Sequence, residues 1–428
     1  MMNVYTNPAQ KEWPLLTQRP TMNQEDLSEL VSTVFCDVEK DGDTALKKYT
    51  QQFDKAVLNN LLVTSEELRE AANNITEELK SAIQIAANNI RSFHKSQLYK
   101  EEEIETIKGV VCWRENRAIE NIGIYIPGGT APLFSTVLML GIPAVIAGCK
   151  NIILCTPPNK NGDMHPAILF TADLIGIKTI VKAGGIQAIA ALTGGTQTVP
   201  KVDKIFGPGN QFVTAAKQYA LNCGVAIDMP AGPSEVLVIA DESSNPEFIA
   251  SDLLSQAEHG VDSQVILLSN NVATIDKTLQ AIEEQLKELD RGEIALKALD
   301  NSKAITFNSI DECIEFSNNY APEHLILAVE NPKEFVSKIV NAGSVFLGKY
   351  SCESAGDYAS GTNHTLPTNG YARNYSGVSV DSFIKKITFQ QLNEEGIKNI
   401  GPAIEKMAEA EGLDGHKKAV SVRLKSLE

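Results

Sequence analysis

Apolar positions change their spacing several times along this chain. From Asn23 to about Lys95 they recur with helical periodicity, and Thr64-x-x-Glu67 reads as a capping box opening a long amphipathic stretch through Ile90. The arm before it, Met1 to about Thr21, is mixed and poorly periodic. Around Ile104 to Ile126 the pattern turns to alternation, as in Val110-Val111-Cys112-Trp113, which predicts a short antiparallel unit.

Two runs of alternating strand and helix follow. The first predicts strands near Ile122–Ile126, Ile152–Cys155, Thr179–Lys182 and Lys204–Phe206. Helices near Phe134–Ala147, Pro166–Leu174, Ile186–Leu192 and Phe212–Leu221 separate them. The second predicts strands near Val236–Ile239, Gln264–Leu268, Lys303–Phe307, His324–Ala328 and Ser344–Leu347. Its helices lie near Pro246–Glu258, Ile275–Leu289, Ile310–Asn319 and Pro332–Ile339. The pattern is α/β, with doubly wound parallel sheets in two similar halves and ligands expected at the carboxyl ends of strands. From about Tyr350 the chain becomes rich in Gly, Ser, Thr, Asn and Tyr, the texture of a loop that carries a site. The tail, about Leu392 to Glu428, is helical and charged, suited to pack on its own domain or on a second subunit.

Composition narrows the classes. The chain has 428 residues, 43% hydrophobic and 21% charged, which excludes a disordered or fibrous protein and calls for at least two domains. Lys plus Arg number 38 against 54 Asp plus Glu, and a net charge of −16 argues against nucleic acid as a partner. The stretch Asn121 to Cys149 carries no charge and is long enough to span a membrane, but Pro127, Pro132 and Pro143 interrupt it. A strand, a turn and a buried helix explain it better. Seven scattered cysteines without C-x-x-C argue against a disulfide framework, and no export signal is visible at Met1–Thr6, so a reducing, cytoplasmic setting is expected.

Nucleotide chemistry has only indirect support here. Neither a G-x-G-x-x-G fingerprint nor a Walker loop occurs. Three glycine-rich turns, Pro127-Gly128-Gly129, Gly184-Gly185 and Gly207-Pro208-Gly209, each follow a predicted strand and precede a predicted helix. Each alone could be an ordinary tight turn. Together at one sheet edge they would let a phosphate approach the backbone and the helix amino ends.

The six histidines supply the candidate chemistry. Gln256 and His259 lie three apart at the end of a predicted helix, a nitrogen and oxygen pair that suits Zn²⁺, although His259 could simply cap the last turn. Glu323 and His324 open a strand after a Tyr320-Ala321-Pro322 turn. They could divide base work if that turn kinks the backbone and brings their side chains together. Asp357 is a hard-ligand candidate or an Asx-turn residue, and His416 sits in the tail, where a lone His is often surface. A cysteine thiolate acting through a thiohemiacetal is the rival, although none of the seven has a telling local context.

These segments in combination resemble the histidinol dehydrogenase family. The matching stretches are Gly123-Ile124-Tyr125-Ile126-Pro127-Gly128-Gly129-Thr130-Ala131, Gly184-Gly185-Ile186-Gln187-Ala188-Ile189-Ala190 and Phe206-Gly207-Pro208-Gly209-Asn210. Further on come Asp228-Met229-Pro230-Ala231-Gly232-Pro233-Ser234-Glu235, Leu254-Ser255-Gln256-Ala257-Glu258-His259-Gly260 and Ala321-Pro322-Glu323-His324-Leu325. The set ends with Gly356-Asp357-Tyr358, Gly361-Thr362-Asn363-His364 and Glu411-Gly412-Leu413-x-x-His416. They stand in the family's order over nearly the whole chain; Ile186, where Ala is more usual, is a mild departure.

The resemblance implies a zinc-containing enzyme that oxidises L-histidinol to L-histidine through L-histidinaldehyde with two NAD⁺, the last steps of histidine biosynthesis. It implies two incomplete Rossmann-like parallel-sheet domains with helical extensions in an intertwined homodimer. One Zn²⁺ per subunit would be held by Gln256, His259 and Asp357, with His416 from the other subunit. Glu323 and His324 would be the acid–base pair, and Tyr125, Gln187 and Asn210 the NAD contacts. Ser234, His364 and Glu411 would meet the substrate, together with His324 and the metal ligands. The expected division is an arm at 1–21, a catalytic domain of 22–121 plus 236–379, an NAD-binding domain at 122–235, and an extension at 380–428 completing the partner's site. A zinc hydrolase or a non-catalytic metabolite sensor could use parts of the same constellation.

Overall fold

The computed structural model describes residues 2–20, 27–99, 101–128, 132–230 and 232–428. The expected helix start at Asn23, residues 129–131 of the first glycine turn and Ala231 lie outside them. From the N-terminus come β1 (Asn3–Thr6), α1 (Trp13–Leu16), α2 (Ser28–Asp41), α3 (Asp43–Tyr49), α4 (Ser65–Ala71) and α5 (Glu77–Lys95). A hairpin of β2 (Ile104–Ile107) and β3 (Val110–Ala118) follows. The first alternating run is β4 (Asn121–Tyr125), α6 (Phe134–Ala147), β5 (Asn151–Thr156), α7 (Pro166–Leu174), β6 (Thr179–Lys182), α8 (Gly185–Gly194), β7 (Lys204–Phe206), α9 (Gln211–Asn222) and β8 (Ala226–Ile227). The second is β9 (Glu235–Ala240), α10 (Pro246–Ala257), β10 (Gln264–Ser269), α11 (Val272–Gln285), α12 (Gly292–Asp300), β11 (Lys303–Thr306), α13 (Ile310–Tyr320), β12 (His324–Ala328) and β13 (Ser344–Leu347). The chain closes with α14 (Glu353–Tyr358), β14 (Ile384–Leu392), α15 (Glu394–Ala410) and α16 (Asp414–Lys425).

The two runs build two parallel sheets. The first has the order β6-β5-β4-β7-β8 and the second β1-β11-β10-β9-β12-β13. Leaving out β1, both sheets follow the same winding: third, second, first, fourth, fifth strand of the run. That winding is the doubly wound pattern short of its sixth strand, with a switch point between β4 and β7 in one half and between β9 and β12 in the other.

Each sheet is covered on both faces. Ile122 and Ile124 of β4 join a core with α4, α5, α6 and α7, whereas Tyr125 of β4 and Ile153 and Cys155 of β5 join one with α2, α3, α8 and α9. On the second sheet Val236 and Val238 face α10, α11 and α12, and Leu237 and Ile239 face α13 with Trp13 and Leu16 of the arm. Alternate residues therefore enter opposite cores, which is why these strands read as near-continuous apolar runs. The charge-free stretch after Asn121 is β4 and the buried helix α6, as expected, and among the described residues no helix is long and apolar enough to cross a membrane.

One segment adds to the expected pattern and one expectation needs correction. The arm, read only as mixed and poorly periodic, supplies an edge strand: β1 pairs in parallel with β11, Asn3 opposite Lys303 through Thr6 opposite Thr306. Four residues held mostly by backbone pairing leave little periodic signal. The amphipathic stretch after the Thr64–Glu67 capping box does not run unbroken to Ile90. It stops at Ala71, and Thr76 starts α5 as a new cap, its Oγ1 accepting the Leu79 N–H at 3.2 Å. The expected antiparallel unit is present, and β14 pairs with β3 to complete a three-stranded sheet.

Candidate active site

The glycine turns of the first half meet at the carboxyl ends of β4, β6 and β7. Tyr125 ends β4, is buried, and its hydroxyl accepts the Gly185 N–H at 3.1 Å. Gln187, in the first turn of α8, is fully buried; its amide donates to Asp54 at 3.4 Å and its Oε1 has no partner. Asn210 caps α9, accepting from Phe212 N (3.1 Å) and Val213 N (3.2 Å). All three line a cavity of about 1060 Å³, together with Gly128 and the amino ends of α7, α8 and α9. Helix amino ends favour phosphates, and the size suits a dinucleotide. Asp54, from the irregular turn after α3, also lines it, and burial raises its carboxyl to about 6. No motif marks Asp54 in the sequence.

The second half arranges its chemistry differently. Ligand-facing residues were expected at carboxyl ends of strands; here the acid–base candidates sit at the amino ends of β9 and β12. The turn before β12 supplies the needed kink, with Ala321 at φ 56°. As a result Glu323 and His324 converge, Oε2 to Nδ1 at 3.6 Å, although they are adjacent in sequence. Both are held by one residue of β9: the Glu235 N–H donates to Glu323 Oε2 at 2.9 Å, and the Glu235 carbonyl faces His324 Nδ1 at 3.2 Å. Burial pushes Glu323 up to about 7, against the pull of His324 and of the Glu235 N–H. Burial opposes the charged form of His324, but Glu323, Glu353 and Asp357 outweigh it and hold the imidazole at about 10.

Around this pair lies a surplus of acid. Asp357 Oδ1 is 3.5 Å from His324 Nε2, and Glu353 Oε1 is 3.7 Å from His324 Nδ1. Ligand atoms of His324, Glu353 and Asp357 lie within 4.8 Å of one another. His324 Nε2, Glu353 Oε2 and Asp357 Oδ1 are buried and have no hydrogen-bond partner. Buried carboxylates outnumbering one imidazole, with unpaired oxygens, form a site short of positive charge, and a divalent cation fits it. Gln256, near the end of α10, donates from its amide nitrogen to Glu323 Oε2 at 3.4 Å; with the amide turned over, its oxygen accepts the Glu235 N–H at 2.9 Å and its nitrogen meets Glu353. His259 follows one turn on and feels Asp357 and His324 electrostatically. Of the three expected ligands of this chain, Asp357 lies in the cluster with His324 and Glu353, Gln256 lies against Glu323, and His259 is one turn beyond Gln256.

His364 joins the halves. Its Nδ1 faces the Asp357 carbonyl at 2.9 Å and its Nε2 the Thr136 hydroxyl of α6 at 3.1 Å. Ser234 is half-buried just before β9. The remaining two candidates are not brought in by this chain. Glu411 and His416 are exposed on the α15–α16 hairpin, and their backbone bonds stay within it, to Met407 and Leu413. Glu353 and Thr136 carried no sequence signal, and Glu235 only its place in a family-like stretch, because each matters through a contact made across the fold.

The family model for histidinol dehydrogenase matches residues 17–424. A histidinol dehydrogenase of Bacteroides thetaiotaomicron is 57% identical over 427 residues, covering 100% of both chains. The chloroplastic histidinol dehydrogenase of Arabidopsis thaliana is 52% identical, covering 96% of this chain and 89% of that one. The crystal structure of histidinol dehydrogenase from Elizabethkingia anophelis superposes with a TM-score of 0.99 at 65% identity, covering 100% of this chain and 98% of that chain. A betaine aldehyde dehydrogenase from Staphylococcus aureus shares the fold at a TM-score of 0.50 and 10% identity, covering 85% and 90%. With its two half-Rossmann sheets and its buried Glu323–His324 cluster, the chain belongs to the histidinol dehydrogenase family, the NAD-dependent oxidoreductases that complete histidine biosynthesis.

Proposed function

We propose that Glu323 and His324 perform the proton transfers of histidinol oxidation, beside a Zn²⁺ held by Gln256, His259 and Asp357 and by His416 of a second subunit. The convergence of Glu323, His324 and Asp357 in one buried, acid-rich cluster carries this reading. His324 Nδ1 faces the Glu235 carbonyl, which favours a proton there; a divalent cation beside Glu353 and Asp357 would offset the acid charge that otherwise holds the imidazole at about 10, and Nε2 would then be free to accept the alcohol proton as hydride leaves to NAD⁺. Glu323, raised to about 7, is poised to take a proton from water in the aldehyde step. When bound, the metal would grip the substrate's imidazole and amine, atoms that neither oxidation changes. Ser234, His364 and the partner subunit's Glu411 would complete the substrate contacts, and Tyr125, Gln187 and Asn210 the NAD⁺ contacts.

A homodimer follows from the same reading, since Glu411 and His416 are exposed on a hairpin that also exposes Met407, Leu413 and Val422. The seven cysteines are free thiols, which suits the cytoplasm. Glu323→Gln tests the division of labour: aldehyde oxidation should fall about a hundredfold or more, alcohol oxidation far less. Equal losses in the two separately assayed half-reactions would reject it.

A further inference from the structure

One side chain from the N-terminal arm holds the amino ends of β9 and β12 together. Arg19, 12% exposed, donates from Nε and Nη2 to the two carboxylate oxygens of Glu235, which is 1% exposed, at 2.9 and 3.0 Å. The same Nη2 donates to the carbonyls of Tyr320 (2.7 Å) and Ala321 (3.3 Å), and the guanidinium lies 3.8 Å over the Tyr320 ring. That ring is fixed in turn, its hydroxyl donating to Gln264 at 2.8 Å. Asn369 N–H adds a bond to Glu235 Oε1 at 2.8 Å.

Both anchored points bear on the chemistry. The peptide of Glu235 holds Glu323 Oε2 and faces His324 Nδ1. The Tyr320–Ala321 carbonyls belong to the turn that swings Glu323 and His324 together. A planar fork with five donors can serve a carboxylate and two carbonyls at once; a lysine ammonium cannot reproduce that geometry. We propose that Arg19 is a positioning residue for Glu323 and His324, acting through Glu235 and the 320–321 turn and touching neither substrate nor cofactor. This inference rests on the acid–base reading given above.

The test uses the full-length, metal-loaded protein. In Arg19→Ala, kcat should fall about tenfold to a hundredfold while KM for NAD⁺ stays put, as when an outer support of a site is removed. Arg19→Lys should retain an intermediate kcat, and added guanidinium ion should raise kcat of Arg19→Ala but not of the wild type. Should Arg19→Ala fail to fold, Arg19→Lys carries the same expectation of reduced kcat at unchanged KM for NAD⁺. A folded Arg19→Ala protein with wild-type kcat overturns the proposal. Placed on Glu323→Gln, Arg19→Ala should cost about threefold or less further in aldehyde oxidation, because the two act as one unit. A full multiplicative loss there sinks the Arg19 inference alone, whereas a Glu323→Gln enzyme with both half-reactions intact sinks the acid–base reading beneath it.

Discussion

At Gly207 the backbone sits at φ 129°, and a Cβ there would run into the carbonyl of Tyr125. This close approach lets β7 deliver Asn210 beside Tyr125 at the cavity proposed for NAD⁺. Gly207→Ala should therefore raise KM for NAD⁺ and cost about 1–3 kcal/mol of stability, read by steady-state kinetics and thermal melting. Asp54 gives a pH prediction. Its folded carboxyl is raised by burial from 3.8 to about 6, so folding favours its protonated form. The stability this gives is full below pH 4 and is lost as pH rises through about 6. Asp54→Asn should then melt higher than wild type at pH 8, with the gain vanishing near pH 4; an equal effect at both pH values would contradict the burial argument. Residues such as Glu323, His324 and Gln256 could be read from short segments because neighbours in sequence supply their geometry. Arg19, Asp54 and Glu353 could not, since their roles come from partners such as Glu235, Gln187 and His324, reached only through the fold.

Elements were legible where burial is two-sided. Strands β4 to β7 and β9 to β13 and most of the helices between them match the apolar runs, because alternate residues feed two cores. The amino-end placement of Glu323 and His324 was not legible, since a βα pattern carries no information on which sheet end opens toward the other half. Helices α2 to α5 bury their faces in the cores of the first sheet, so they pack with the first half rather than with the second, where 22–121 was expected to belong. Within that half, Lys217 of α9 pairs with Asp228 after β8, both buried, and also donates to the Gly207 carbonyl at 2.8 Å, while Asp228 accepts the Gly207 N–H at 2.8 Å. Lys217→Met leaves that carboxylate buried without its cation and should cost about 3–5 kcal/mol, measured by denaturant unfolding.

On the proposed reading the molecule as a whole presents an incomplete site, with Gln256, His259 and Asp357 on the globular body and His416 on an exposed hairpin. Chelation should abolish turnover, and Zn²⁺ should restore it; turnover persisting in protein shown to be metal-free would remove the metal from the account. The most direct measurement mixes two inactive variants, His416→Ala and Asp357→Ala, under conditions that exchange subunits. One of the two sites in each mixed dimer regains all its ligands, so activity should return toward a quarter of the wild-type level, as mixing statistics dictate for about half of the dimers with one restored site each. If mixed dimers form and activity does not return, the ligands are not shared between subunits.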